Sequence, residues 1–312
     1  MSLFDEKNVH PMLIGKDAAS FDDEDFIFET KWDGERCIAY LDPKLGTELR
    51  NKRNEKMLLK VPELSELHKQ INKRCILDGE LMVLKNGKPS FQEIQKRSLM
   101  SNQFRIQMAS KQYPASFIAF DILFWENRDI TLLPLMERKS FLEKCITAET
   151  GRMAISRYIE KSGIALYNIA EQQELEGIVA KRKDSIYIQG KRTQDWIKIK
   201  NLKDDDFIVC GYIQKDNHMI SIILGKYLDR QIVYKGHVTL GVGGESFRKI
   251  QDVPVIPFPQ FAPPPGNENA VWIVPRLVCV VKFMEYTPNG GMRQPVFKGL
   301  RQDKLPEDCQ VK

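Results

Sequence analysis

Lys31-Trp32-Asp33-Gly34-Glu35-Arg36 places an amine, a carboxylate and a guanidinium within six residues. A lysine amine is a nucleophile only when unprotonated, a state that nearby cations or desolvation favour. Arg36 and the lysines further along could supply such a field. Asp33-Gly34 is a turn pair, so the three groups would converge around a strand turn. That combination suits attack on a phosphate: Lys31 attacks, Asp33 orients a metal or substrate, and Arg36 binds the anion. Glu80, in Leu77-Asp78-Gly79-Glu80, and Glu176, at the start of Glu176-Gly177-Ile178-Val179, lie at strand starts or turns. Lys198 and Lys200 alternate with Ile197 and Ile199, so both lysines face one side of a strand. Two carboxylates can hold a hard cation through oxygen while two lysines neutralise phosphates, as a magnesium-nucleotide site requires. Singly, each glutamate reads as a surface charge and the lysine pair as a solvated strand face. The chemistry comes from the set.

Other templates fail. His10, His68, His218 and His237 form no HExxH pair, and there is no GxSxG elbow. The six cysteines contain no CxxC, which indicates neither a zinc ribbon nor a disulfide framework and fits a reducing, cytosolic setting. Gly241-Val242-Gly243-Gly244 mimics a phosphate loop but is expected to be a turn between strands, not the start of a helix.

The chain has 312 residues, 42% hydrophobic and 29% charged, which suggests about two domains and excludes disorder or collagen for the whole chain. No apolar run reaches the ~18 residues of a membrane span. Acids precede any apolar run at the start, so no secretory signal is expected. FIFETKWDGERCIAYL (26–41) reads as two strands around the Asp33-Gly34 turn. VPELSELHKQIN (61–72) has leucines at helical spacing. CILDGELMVLKNGKPSF (75–91) reads as a hairpin with turns at Asp78-Gly79 and Asn86-Gly87. Residues 91–112 look helical and basic, 116–125 form a buried strand, 135–146 a helix, and 166–182 run from helix into strand. After Asp204-Asp205-Asp206 the pattern becomes short β runs, typical of a small barrel. The expected domains are 1–203 and 204–312.

In order, these segments resemble the covalent nucleotidyltransferase superfamily, and within it the ATP-dependent DNA ligases. Lys31 to Arg36 matches motif I, whose lysine becomes adenylated, and Glu29 precedes it in the nucleotide site. Arg53 resembles the motif Ia arginine that contacts ribose, although Glu55 follows Asn54 where relatives often carry glycine. Leu77 to Glu80 resembles motif III. Phe120-Asp121 resembles motif IIIa, whose aromatic stacks on adenine. Glu176 to Val179 resembles motif IV, and Trp196 to Lys200 motif V. Arg192 resembles a further ATP-contacting arginine. Arg293 to Lys304 is similar to motif VI of a C-terminal OB domain, with Arg301, Asp303 and Lys304 as its acting residues. The spelling at 176–182 and motif VI is similar to the ligase domain of bacterial ligase D, of non-homologous end joining. The implied fold is α+β: an ATP-grasp-like adenylation domain of antiparallel sheets with flanking helices, then an all-β OB-fold.

The resemblance implies ATP and Mg2+ (Mn2+ as an alternative), with Glu80 and Glu176 on the metal. It implies three phosphoryl transfers: AMP onto Lys31, AMP onto a DNA 5′-phosphate, then attack by a 3′-hydroxyl. Nicked or broken duplex DNA is the expected partner, with a Ku-like protein as a further one, in a monomeric cytoplasmic enzyme associated with a bacterial nucleoid. A capping guanylyltransferase, an RNA ligase and a non-catalytic DNA-binding protein share parts of this set. The net charge of +5 is small, but residues 181–203 carry eight Lys and Arg against two Asp. Lys181, Arg182, Lys183 and Lys191 there, with Lys96, Arg97, Arg105 and Lys111 of the 91–112 segment, are expected to meet DNA phosphates.

Overall fold

The computed structural model describes residues 2–215, 218–242, 244–287 and 290–311. The chain forms two compact units, Met1–Asn201 and Leu202–Lys312. The first runs α1 (Leu3–Glu6), β1 (Leu13–Asp17), β2 (Asp23–Thr30), β3 (Glu35–Asp42), β4 (Gly46–Asn51), β5 (Cys75–Lys85), β6 (Lys88–Pro89), α2 (Phe91–Leu99) and α3 (Gln103–Gln112). It continues through β7 (Ala115–Trp125), β8 (Arg128–Asp129), α4 (Leu135–Cys145), β9 (Met153–Ile155), β10 (Tyr158–Lys161), α5 (Gly163–Gln172), β11 (Gly177–Arg182) and β12 (Arg192–Lys200).

These strands form two sheets. One has the order β1-β12-β11-β2-β10; the other is built on β4-β3-β5-β7-β8, with β6 on β5 and β9 on β7. Most pairings are antiparallel, but β1–β12 and β7–β9 are parallel. Alternation sorts the side chains. In the first sheet Phe26, Phe28, Ile178, Ala180, Ile197 and Ile199 build a core on one face, with Leu166 and Tyr167 of α5 packed against it. In the second, Cys37, Ala39 and Leu41 of β3 point into the largest core while Ile38 and Tyr40 point into another, with Phe120 and Trp196. A strand buried on both faces reads as a continuous apolar run, as Cys37–Leu41 does.

Three local expectations change. β5 runs unbroken through Asp78-Gly79, so only Asn86-Gly87, both at positive φ (52° and 78°), turns the chain. Asp78 is a buried ion-pair partner, and Gly79 lets the Ile118 carbonyl come within 2.5 Å of where a Cβ would sit. Residues 61–72 form 3-10 turns at Pro62–Leu64 and Leu67–Gln70, not an α-helix. Residues three apart eclipse in a 3-10 turn, and Leu64 and Leu67 are both buried in the large core. The basic 91–112 segment is two helices, because Asn102 caps α3 by accepting from the Arg105 backbone N–H at 3.0 Å.

The second unit is an antiparallel sheet of β13 (Lys203–Lys215), β14 (Met219–Leu228), β15 (Gln231–Gly241), β16 (Val271–Phe283) and β17 (Val296–Arg301), in the order β15-β14-β13-β16-β17. β15 and β17, at the two ends of that order, also approach each other, which curls the sheet towards a barrel. Phe207, Val209, Ile220, Ile222 and Leu224 fill one face, with Phe247 and Ile250 of α6 (Glu245–Gln251). A short helix therefore does follow the Gly241–Gly244 stretch, contrary to expectation; Gly243 lies outside the described residues.

Beneath the second sheet, Arg138 of α4 and Asp121 of β7 are both fully buried and joined twice, at 2.8 and 2.9 Å. Arg138 also donates to the carbonyls of Leu133 and Ser185, at 2.5 and 2.8 Å. Removing one partner leaves the other charge buried and uncompensated. Arg138→Ala is expected to cost about 3–5 kcal/mol, read as a lowered urea midpoint; an unchanged midpoint would show that the pair is not needed.

Candidate functional site

β2 ends at Thr30, and the Lys31 backbone N–H donates to the Gly177 carbonyl at 2.9 Å. This bond sets the start of the loop beside the start of β11. The Lys31 ammonium then lies 2.8 Å from the Glu176 carboxylate. Two glycines permit the crowding. A Cβ on Gly34 would meet the Leu81 carbonyl at 2.1 Å, and Gly177 has φ of +135° with the Ile199 carbonyl 2.1 Å from a Cβ position. Trp32 donates from its indole to Ser156 Oγ at 3.3 Å, and half-buried Asp33 follows in the turn.

Across the neighbouring strand, Arg36 pairs in register with Glu80 and reaches Asp78 through two bonds of 2.6 Å each. Its guanidinium lies 4.5 Å from the Phe120 ring centre and 5.4 Å from that of Trp196. Asp78 also accepts from the Tyr187 hydroxyl at 2.6 Å. Burial pushes the Glu80 carboxyl up to about 8, against the pull of Arg36 and Lys31.

Ile14, Glu29, Thr30, Lys31, Trp32, Arg36, Glu80, Phe120, Val179, Lys181 and Trp196 line one cavity, which is open to solvent. Lys181 is 3% exposed, with its ammonium 3.0 Å from Glu29 and 4.2 and 4.4 Å from the Phe120 and Trp196 ring centres. Glu29, itself buried, also pairs with buried Lys139 of α4. Trp196, Lys198 and Lys200 alternate along β12, so the two lysines share the face whose Trp196 lines the cavity. Lys198 pairs with Asp17 at 2.9 Å. Burial, with neighbouring Lys198, pushes the Lys200 ammonium below its ordinary value. Among the described residues, no group of three or more His, Cys, Asp or Glu is placed to hold a metal ion by itself.

Several expected residues fall elsewhere. Lys181 belongs to the cavity wall and cannot present its charge to a DNA phosphate. Arg97 is 2% exposed, held by Glu63 at 3.0 Å and by the Lys60 and Tyr113 carbonyls, so it is a structural cation and not a DNA contact. Arg53 lies past the end of β4 in an exposed turn, outside the cavity wall; the strand's alternation instead sets Arg50 on the same face as Ile38 and Tyr40. Arg192 is exposed and donates to the Ile14 carbonyl at 2.6 Å. Arg182 pairs with Asp25 and Asp195, Lys183 with Glu160 and Lys96 with Glu93; Lys191, Arg105 and Lys111 are exposed. In the second unit Arg301 and Asp303 are joined, and Asp206 takes both Arg301 and Lys304. Arg301 holds Asp303 down at about 2.

Trp196, Val179 and Lys181 were missed as wall residues. Strand alternation would have found them, since Val179 pairs with Glu29 and Lys181 with Trp196. Nothing in the sequence around Lys139 marks it.

A lysine paired to a carboxylate at a cavity lined by aromatic and charged side chains, in an α+β unit followed by a small β-barrel, defines the adenylation-plus-OB class. The chain belongs to the ATP-dependent DNA ligase family. The family model described as ATP dependent DNA ligase domain matches residues 11–200, and that of the ATP dependent DNA ligase C terminal region matches 215–304. The SPbeta prophage-derived DNA ligase-like protein LigB of Bacillus subtilis is 30% identical over 295 residues, covering 94% of this chain and 99% of that protein. The multifunctional non-homologous end joining DNA repair protein LigD of Mycobacterium tuberculosis is 25% identical over 319 residues, covering 98% of this chain but 40% of LigD. The chain thus spans about two fifths of the mycobacterial LigD relatives. A solved mycobacterial DNA ligase D, complexed with ATP and MES, shares the fold with a TM-score of 0.57 at 24% identity, covering 98% of this chain and 99% of that one. No helix among the described residues is long and apolar enough to cross a membrane.

Burial drives the Lys181 ammonium down to about 8, against Glu29, from an ordinary 10.5. The folded value lies below the unfolded one, so the cost of charging Lys181 is fully present below pH 8. It is relieved as pH rises from about 8 to 10.5. Across that window the wild type should therefore gain stability relative to Lys181→Met, measured as the difference in urea midpoints at successive pH values. Parallel curves would refute a charged, buried Lys181.

Proposed function

We propose that the chain seals 5′-phosphate/3′-hydroxyl breaks in duplex DNA, with Lys31 carrying AMP between ATP and the DNA. The observation that carries this is Lys31 at the wall of the cavity, 2.8 Å from Glu176. Lys31 Nζ attacks the α-phosphorus, a nitrogen–phosphorus bond forms, and the bond to the bridging oxygen breaks to release pyrophosphate. The amine must shed a proton, and the Glu176 carboxylate stands at hydrogen-bond distance to take it. The AMP then passes to the 5′-phosphate of the break. Last, the 3′-hydroxyl attacks that phosphate and AMP leaves. Positioning and charge neutralisation carry most of such chemistry.

The remaining residues divide by reach. Lys198 and Lys200 neutralise phosphate oxygens. Phe120 and Trp196 hold the base, with Arg36 locked on Asp78 beside them. Glu29 and Lys181 read the base edge: the carboxylate accepts from the amino group of adenine and the ammonium donates to its neighbouring ring nitrogen. Guanine seated the same way would turn a carbonyl oxygen onto Glu29, which favours ATP over GTP. Glu80 and Glu176 suit Mg2+, which takes one or two carboxylates and fills its shell with phosphate oxygens and water; when bound it would neutralise charge on the phosphates. Arg301, Asp303 and Lys304 are the groups proposed to act on the departing pyrophosphate. The LigD relatives make end joining the setting to test, with a Ku-like protein as the recruiting partner.

Incubation with labelled ATP or GTP, followed by a nicked duplex, tests the reading. The chain should form an acid-labile AMP adduct and then a sealed strand. Lys31→Ala should lose the adduct entirely while keeping its thermal midpoint; an adduct surviving in that variant would sink the assignment.

Lys181→Met should lower kcat/KM for adenylation by ATP about 10–100-fold, the worth of a charged hydrogen bond in a dry site. Its preference for ATP over GTP should shrink as well. An undiminished preference would remove Lys181 from base reading.

A further inference from the structure

The first unit leaves an edge of its surface apolar. Phe104 is 74% exposed and Met108 54%, although α3 buries Ile106 and Ser110 on its other side. Phe104 and Met108 are four residues apart and Lys111 seven from Phe104, so all three share one face of α3, with Arg105 alongside. Leu99, at the end of α2, is 80% exposed. Just before it, Ser98 donates to Glu35, which opens β3 four residues after Lys31. The end of α2 therefore sits beside the loop that carries the reactive lysine.

The segment that builds this edge carries charge of one sign. No acidic residue occurs between Glu93 and Asp121. Neither Arg105 nor Lys111 has a side-chain ion pair among the described residues. An apolar face alone would suit a protein partner. Two uncompensated cations on an acid-free helix, next to the point where a DNA end must be held, favour a polyanion.

We propose that Leu99, Phe104 and Met108, flanked by Arg105 and Lys111, form the surface on which the duplex beside the break docks, the apolar side chains entering its minor groove and the cations meeting its phosphates. The proposal rests on the DNA-sealing function and adds where the duplex is gripped and by what chemistry.

The test uses the full chain and a nicked duplex. Phe104→Ser combined with Met108→Ser should leave adenylation by ATP unchanged and weaken binding of the nicked duplex about tenfold. Its salt dependence should match the wild type, because no phosphate contact is lost. Arg105→Gln with Lys111→Gln should instead lower the slope of log affinity against log salt by about 1.8. Phe104→Leu with Met108→Leu should bind nearly as the wild type does. Unchanged DNA binding by the serine variant would overturn the proposal and leave the face to a protein partner. Loss of adenylation in that variant would overturn it too, since the side chains would then support the fold. A wild type that adenylates but binds no duplex would fail the sealing function itself.

Discussion

Glu29 lies buried between two ammonium groups, Lys139 and Lys181, and much of the first unit is arranged around that cluster. Each of these three ions, taken out of water, loses several kcal/mol in hydration, so the cluster persists only where geometry repays the loss. Here the carboxylate comes from β2, one lysine from β11 of the same sheet, and the other from α4, a helix packed against β7 of the opposite sheet. The cluster therefore ties the two sheets at the base of the cavity. Arg36, Asp78 and Tyr187 make a second tie, since Tyr187 also accepts from the Met12 backbone N–H at 2.9 Å. A cavity walled by such ties is set in shape before any ligand arrives, as preorganised phosphate chemistry needs.

The same requirement explains why the overall charge says little. The surplus of five is the remainder after many local pairings. Within the basic stretch 181–203, Lys181 is sealed inside, Lys183 and Lys198 are paired, and Arg182 is shared between two aspartates. Counting cations along the chain thus overstates what that stretch offers a polyanion. The shorter α3 has no acid of its own and keeps both of its cations, Arg105 and Lys111, exposed.

The candidate wall was legible in part because its charged residues stand in short motifs at strand starts and turns. Lys31, Arg36, Glu80, Phe120 and Glu29 share one wall, and the change of texture near Asp204 marks the passage from a two-sheet unit to a barrel-like sheet. What escaped depended on depth, which local sequence does not encode. Asp78-Gly79 has turn chemistry, yet Asp78 serves a buried arginine and the strand runs on. Arg97 sits in a basic helix like any phosphate contact, but one turn of helix decides whether it faces water or Glu63. Lys139 reads as an ordinary helical lysine.

Strand register links these successes and failures. Because side chains alternate with a period of two, pairing Val179 with Glu29 puts Lys181 in the cavity and Ile178 and Ala180 in the core. The same rule along β12 sends Trp196, Lys198 and Lys200 one way and Ile197 and Ile199 the other. A slip of one residue in either strand would bury lysines among phenylalanines and empty the site of its cations. The isoleucines opposite the site therefore do more than fill a core. Their burial makes that slip too costly, and so the residues least like catalysts hold the charged ones in place.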